Sequence, residues 1–184
     1  MALLAESLVE EWLNRQGFFT IRGLKHGVRE MDILAIRRDA TGQVEGRHIE
    51  VQVSFRPVGY ICPLTDRIAK TSNRKKTSAK NRSEEEIRQC AEDWVEKKFL
   101  SKKKRAAREE LWSGLHWSFH LVHGVVKEQK ELQTIQSNQV QLVAFMKVLL
   151  ELCNQEGENV SASAGGDLAD ILHYYQLKCA LDEY

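Results

Sequence analysis

Two segments decide the fold: Met31-Asp32-Ile33-Leu34-Ala35-Ile36 and, after a polar loop, His48-Ile49-Glu50-Val51-Gln52-Val53-Ser54-Phe55. The first is apolar at both alternating sets of positions beyond Asp32, as in a strand covered on both sides. The second alternates strictly, with Ile49, Val51, Val53 and Phe55 on one face and Glu50, Gln52 and Ser54 on the other. Asp39-Ala40-Thr41-Gly42 between them is a turn signal. The simplest arrangement is an antiparallel hairpin.

Upstream, Ala5, Leu8, Val9, Trp12 and Leu13 recur at the steps of one helical face, and Gly17 follows where a left-handed cap would end the helix. Phe18-Phe19-Thr20-Ile21-Arg22, bounded by Gly23, reads as a strand. Downstream, residues 56–82 lack periodicity and hold both prolines. Ser83-Glu84-Glu85-Glu86 is a capping box that opens a long helix reaching toward Leu111. Trp117 to Val122 reads as a strand, Val140 to Leu152 as an apolar helix, Gly157 to Gly166 as a loop and Leu168 to Leu181 as a last helix. This order predicts one α/β domain, a central mixed sheet flanked by helices. Its parts are residues 1–60, a basic helical insertion at 61–111, and the remaining strand and helices at 112–184.

The chain has 184 residues, of which 42% are hydrophobic and 29% charged, a balance that excludes a wholly disordered protein. No run approaches the roughly 20 apolar residues of a membrane helix. Glu6, Glu10 and Glu11 come too early for a secretory signal. Cys62, Cys90, Cys153 and Cys179 form no CxxC pair and fit reduced thiols in a cytoplasmic protein. The net charge of +1 hides a strong asymmetry: residues 67–108 carry 15 Lys/Arg against 6 Asp/Glu. Such a segment points to a polyanionic partner.

The chemistry starts with polarity in an apolar setting. An ionised carboxylate at Asp32 or Glu50 must be paired, neutralised or metal-bound if buried. A hairpin can bring both to one end of a sheet, where two carboxylates and a backbone carbonyl suit Mg²⁺ or Mn²⁺. The plainer alternative has Asp32 capping a turn and Glu50 facing water.

Asp32, the hairpin, and then Glu50-Val51-Gln52 resemble the D-(x)n-(D/E)-x-K signature of the PD-(D/E)xK, restriction-endonuclease-like nucleases. The helix glutamate, Gln16-Gly17-Phe18, and Glu30-Met31-Asp32-Ile33 precede it in the order found in the Mrr and archaeal Holliday-junction-resolvase branches. The resemblance covers about residues 5–56. It implies a restriction-endonuclease-like core and a Mg²⁺-dependent (or Mn²⁺-dependent) DNA endonuclease. Asp32 and Glu50 would be the metal-binding acids, Val51 would supply the metal-contacting carbonyl, and Glu6 would be the helix glutamate. Glu10 is the second candidate for that role. Gln52 stands where the family has lysine, and its uncharged amide can position water but cannot supply charge. Lys25, His26 and Arg29 are candidates for a replacement cation. The alternative is a nuclease fold that has lost catalysis and only binds nucleic acid, or serves a larger defence or repair complex. Cleavage of both strands would favour a homodimer.

Arg67, Lys70, Arg74, Lys75, Lys76, Lys80 and Arg82 before the long helix, and Lys97, Lys98, Lys102, Lys103, Lys104, Arg105 and Arg108 toward its end, are the expected basic contacts to DNA phosphates, with Lys102 to Arg105 the densest run. The bland alternative is a solvated helix face. His116, His120 and His123 do not share one strand face, so they read as ordinary sheet histidines. Trp112 and Trp117 suit a core or a base stack. No Walker loop, GxSxG elbow or GxGxxG is present.

Overall fold

The computed structural model describes residues 2–26, 29–54, 56–154 and 165–173. Phe55, Cys179, most of the expected 157–166 loop and the second half of the expected last helix lie outside these, as do the side chains of His26 and Arg29.

The chain opens with α1 (Ala2–Arg15), which buries Ala5, Leu8, Val9, Trp12 and Leu13 as the spacing predicts. A Schellman turn ends it: Gly17 N–H donates to the Asn14 carbonyl and Phe18 N–H to the Leu13 carbonyl, with Gly17 at φ +81°. Three antiparallel strands follow, β1 (Phe19–His26), β2 (Arg29–Arg38) and β3 (Val44–Gln52). The crossover to β4 (Trp117–His123) carries α2 (Asp66–Thr71), α3 (Glu84–Val95), a π-helical turn (Glu96–Leu100) and α4 (Lys102–Leu111). Then come α5 (Gln129–Ser137), β5 (Val140–Ala144), α6 (Phe145–Asn154) and a helix α7 over 165–173. The sheet order is β1-β2-β3-β4-β5, with β3, β4 and β5 mutually parallel, so the fold is α/β with a mixed sheet. No described helix is long and apolar enough to cross a membrane.

Two apolar layers sandwich the sheet. On one side α1 and α6 pack Leu13 and Val148 against Ile33, Ile49, Val51 and Val122. On the other, Trp94, Val95 and Phe99 pack against Leu121, Ile135 and Val140. Complete burial of residues such as Leu13, Ile49 and Leu121 makes each worth about 2–5 kcal/mol against truncation to Ala.

Two helix expectations need correction. Val140–Ala144 is a strand, with the helix beginning at Phe145. A short apolar run satisfies both periods, and pairing of Leu121 with Leu142 beside a buried strand decided for β. The long helix after the capping box is real at its start, where Ser83 Oγ accepts from Glu86 N–H and the Glu86 carboxylate accepts from Ser83 N–H. It does not run through: the π-helical turn and an extended Ser101 (ψ 140°) redirect the chain before α4. α5 escaped the sequence reading because only Leu132 and Ile135 mark its buried face among polar residues.

Candidate active site at a fork in the sheet

Pairing between β2 and β3 runs from Arg38↔Val44 to Ile33↔Ile49 and stops. Beyond that point β2 continues along β1 to Arg29, and β3 continues along β4 to Gln52. The sheet therefore forks at Asp32 and Glu50. Met31 and Leu34 share a buried cluster with Ala107 of α4, which strict two-residue alternation would forbid. The alternation breaks at Asp32, opposite Gly23, whose φ of +64° few other residues adopt. The Asp32 carboxylate spans the fork, and Val51 N–H donates to its Oδ2 at 2.8 Å in place of a strand partner.

Glu50 does not face water; it is fully buried. Lys104 Nζ donates to Oε1 at 2.6 Å, His48 Nε2 lies 3.1 Å from the same oxygen, and Lys98 Nζ donates to Oε2 at 2.6 Å. His48 Nδ1 is 2.9 Å from Arg108 Nη1, which also donates to the Phe99 carbonyl at 3.0 Å. A guanidinium can only donate, so Nδ1 is the acceptor and the ring carries its proton on Nε2, toward Glu50. Burial holds the His48 pKa down at about 4, so the ring is neutral near pH 7. Burial works against an ionised Glu50, but the His48 hydrogen bond and the two ammonium groups outweigh it and leave its pKa at about 2. Asp32 is the opposite case: burial, then the negative charge of Glu50, push its pKa up to about 7.

Glu6, on α1, is half-buried. Burial raises its pKa, and Glu30 and Glu50 add to the effect against the pull of Arg22 and Lys98. Glu10 is engaged elsewhere, 3.2 Å from Arg22 and accepting from Thr20. Val51 contributes its N–H to Asp32 and buries its side chain against α1. Gln52 ends β3 in register with His123. Lys25 lies 4.0 Å from Glu30.

The sequence places Lys98 in the basic run as a phosphate contact, and the structure sets it against Glu50. Its signal is local: it precedes Phe99, which is wholly buried, on a turn whose π geometry often marks functional sites. Lys104 and Arg108, one helical turn apart with Ala107, form the inner face of α4. The charge run hid them.

The basic segment divides by burial. Lys70, Lys75, Lys80, Lys102, Lys103 and Arg105 are exposed, and Arg67 is exposed while donating to Gln89. Lys76 pairs with Asp66 and Arg74 with Glu86. Lys104 is inside, as described, and Arg82 stacks on Tyr60 and donates to the Cys62 and Ser78 carbonyls. Glu131 completes that second buried site by accepting from Ile61 and Cys62 N–H groups. His120 is buried beside the Ser118 hydroxyl, with its pKa lowered to about 4 by burial, and His123 Nδ1 lies 2.8 Å from the Gly124 carbonyl. Cys62, Cys90 and Cys153 are free thiols.

No protein-family model, no curated protein and no solved structure matches the chain. The class rests on what has been described: an α/β protein whose parallel–antiparallel junction holds a carboxylate cluster lined by lysines.

Proposed function

We propose that the protein is a divalent-cation-dependent nuclease that hydrolyses DNA phosphodiester bonds. The observation that carries this reading is the placing of Asp32 on Val51 N–H and of Lys98 on Glu50 at the fork between β2 and β3. The donor set fits a hard cation: the carboxyls are oxygen donors, and the burial and Glu50 charge that lift the Asp32 pKa are what a divalent charge would offset. Among the described residues no group of three or more His, Cys, Asp or Glu is placed to hold an ion. Asp32, Glu50 and the Val51 carbonyl would therefore hold it together with water.

When bound, the cation would activate water and offset charge developing on a phosphoryl oxygen. Lys98 offers the positive charge that Gln52 lacks, and its side chain is 29% exposed, within reach of an incoming phosphate. The Gln52 amide can orient water. Lys104, His48 and Arg108 fix Glu50 from behind. Exposed Lys102, Lys103 and Arg105 open α4, which follows the Lys98 turn, and would track the phosphate backbone. The choice of DNA follows the resemblance to the PD-(D/E)xK nucleases.

The test is nicking of supercoiled plasmid in Mg²⁺ or Mn²⁺. Asp32→Ala and Lys98→Ala are each expected to lower the rate about a hundredfold or more while DNA binding persists. Absence of cleavage with every divalent metal would favour a second reading, a nuclease-like protein that only binds nucleic acid. The ammonium groups already on both Glu50 oxygens favour that alternative.

A further inference from the structure

The two oxygens of Glu50 are not equivalent. Oε1 receives the Lys104 ammonium at 2.6 Å and faces His48 Nε2 at 3.1 Å. Both partners are enclosed: the Lys104 side chain is 5% exposed, and His48 is wholly buried and held by Arg108. Oε2 receives Lys98, whose side chain is 29% exposed and sits on the π-helical turn. One side of the carboxylate is thus sealed by a fixed ion pair, and the other carries a counter-ion with access to solvent.

We propose that Lys98 is an exchangeable counter-ion, so that the site admits one divalent cation, through Glu50 Oε2 and by displacement of the Lys98 ammonium. This inference rests on the nuclease reading for its cation. The charges argue for exchange rather than sharing. An ammonium 2.6 Å from Oε2 occupies the contact distance that a cation would need, and two positive charges there would repel strongly at low local dielectric. Lys104 cannot make way in the same manner. Its removal would leave its own charge unpaired in the interior, a cost that the partly exposed Lys98 does not face. Arrival of the cation therefore frees Lys98 at the mouth of the fork, where a phosphate oxygen would next receive it. Loading the cation and arming the lysine become one event.

The experiment needs no nucleic acid. Mn²⁺ is titrated calorimetrically into the full chain and into Lys98→Met, which keeps the apolar stem and removes the competitor. One Mn²⁺ per wild-type chain is expected, with affinity tightened about tenfold in the variant. In parallel, wild-type protein is labelled with an amine-acylating reagent and Lys98 modification is read by mass spectrometry. Saturating Mn²⁺ is expected to raise Lys98 labelling severalfold and leave Lys102 and Lys103 unchanged. Two ions per chain, unchanged or weakened affinity in Lys98→Met, or Lys98 labelling indifferent to bound Mn²⁺ would each overturn the exchange while leaving a cation site in place. No Mn²⁺ binding to either protein would overturn the cation site itself, and the exchange with it.

Discussion

At the residue scale, Asp32 and Glu50 show how one hairpin gives two carboxyls opposite properties. Glu50 is held ionised by His48, Lys98 and Lys104, whereas Asp32 has one main-chain donor in Val51 and feels the charge of Glu50. The difference has a sign that stability measurements can read. The Asp32 pKa is raised in the folded protein, so its contribution is fully present below the unfolded value of 3.8 and is lost as pH rises through about 7. Without divalent metal, Asp32→Asn should therefore gain on the wild type across that window, by up to a few kcal/mol at pH 8. Urea denaturation at several pH values checks this, and a difference that stays flat from pH 4 to 8 would remove the strain assigned to Asp32. His48 works the other way. Its pKa is lowered to about 4, so the stability it contributes above pH 6.5 is lost as pH falls through 4. The positions of Asp32 and Glu50 within strands were legible from alternation alone, since a polar residue inside an apolar run stands out. What each carboxyl touches was not, because Lys98 and Lys104 come from another element and look like members of a solvated charge run.

At the element scale, the π-helical turn and α4 depend on β3 as much as β3 depends on them. Lys104 and Arg108 turn inward because Glu50 and His48 occupy the sheet face beneath. Glu50→Gln leaves Lys104 buried without its counter-charge and should cost about 3 kcal/mol. Adding Lys104→Met to Glu50→Gln should recover much of that loss, because an uncharged pair of similar size has nothing left to compensate. A denaturation cycle over the two single variants and the double variant measures this coupling, and strictly additive losses would show that the pair is not linked. The same dependence explains which elements could be read in advance. α1, the β2–β3 hairpin and the start of α3 are specified by local signals: a five-residue apolar stripe, strict alternation and a capping box. The break at Ser101 and the strand at Val140 are specified by partners far along the chain, Glu50 and Leu121 among them, which no local pattern contains.

At the scale of the whole molecule, the near-zero net charge conceals a division of labour among cations. Of the basic residues after Asp66, Arg82, Lys104 and Arg108 belong to the interior, while Lys75, Lys80, Lys102, Lys103 and Arg105 remain on the surface. Only surface cations can exchange condensed counterions for phosphates, so they alone should set the salt dependence of nucleic-acid binding. Each lost phosphate contact lowers the slope of log affinity against log salt by about 1. Replacing Lys102, Lys103 and Arg105 together by Gln should therefore reduce the slope by about 2–3 and leave folding stability nearly unchanged, because these side chains are exposed. Arg82→Gln should behave in the reverse way. It removes donors to the Cys62 and Ser78 carbonyls and a guanidinium stacked on Tyr60, so it should destabilise the fold by about 1–3 kcal/mol at little cost in slope. Binding isotherms of a short DNA duplex at several salt concentrations, paired with denaturation midpoints, separate the two effects. If the triple replacement leaves the slope intact, the N-terminal half of α4 is not where the polyanion lies, and the exposed cations of residues 70–80 become the remaining candidates for that contact.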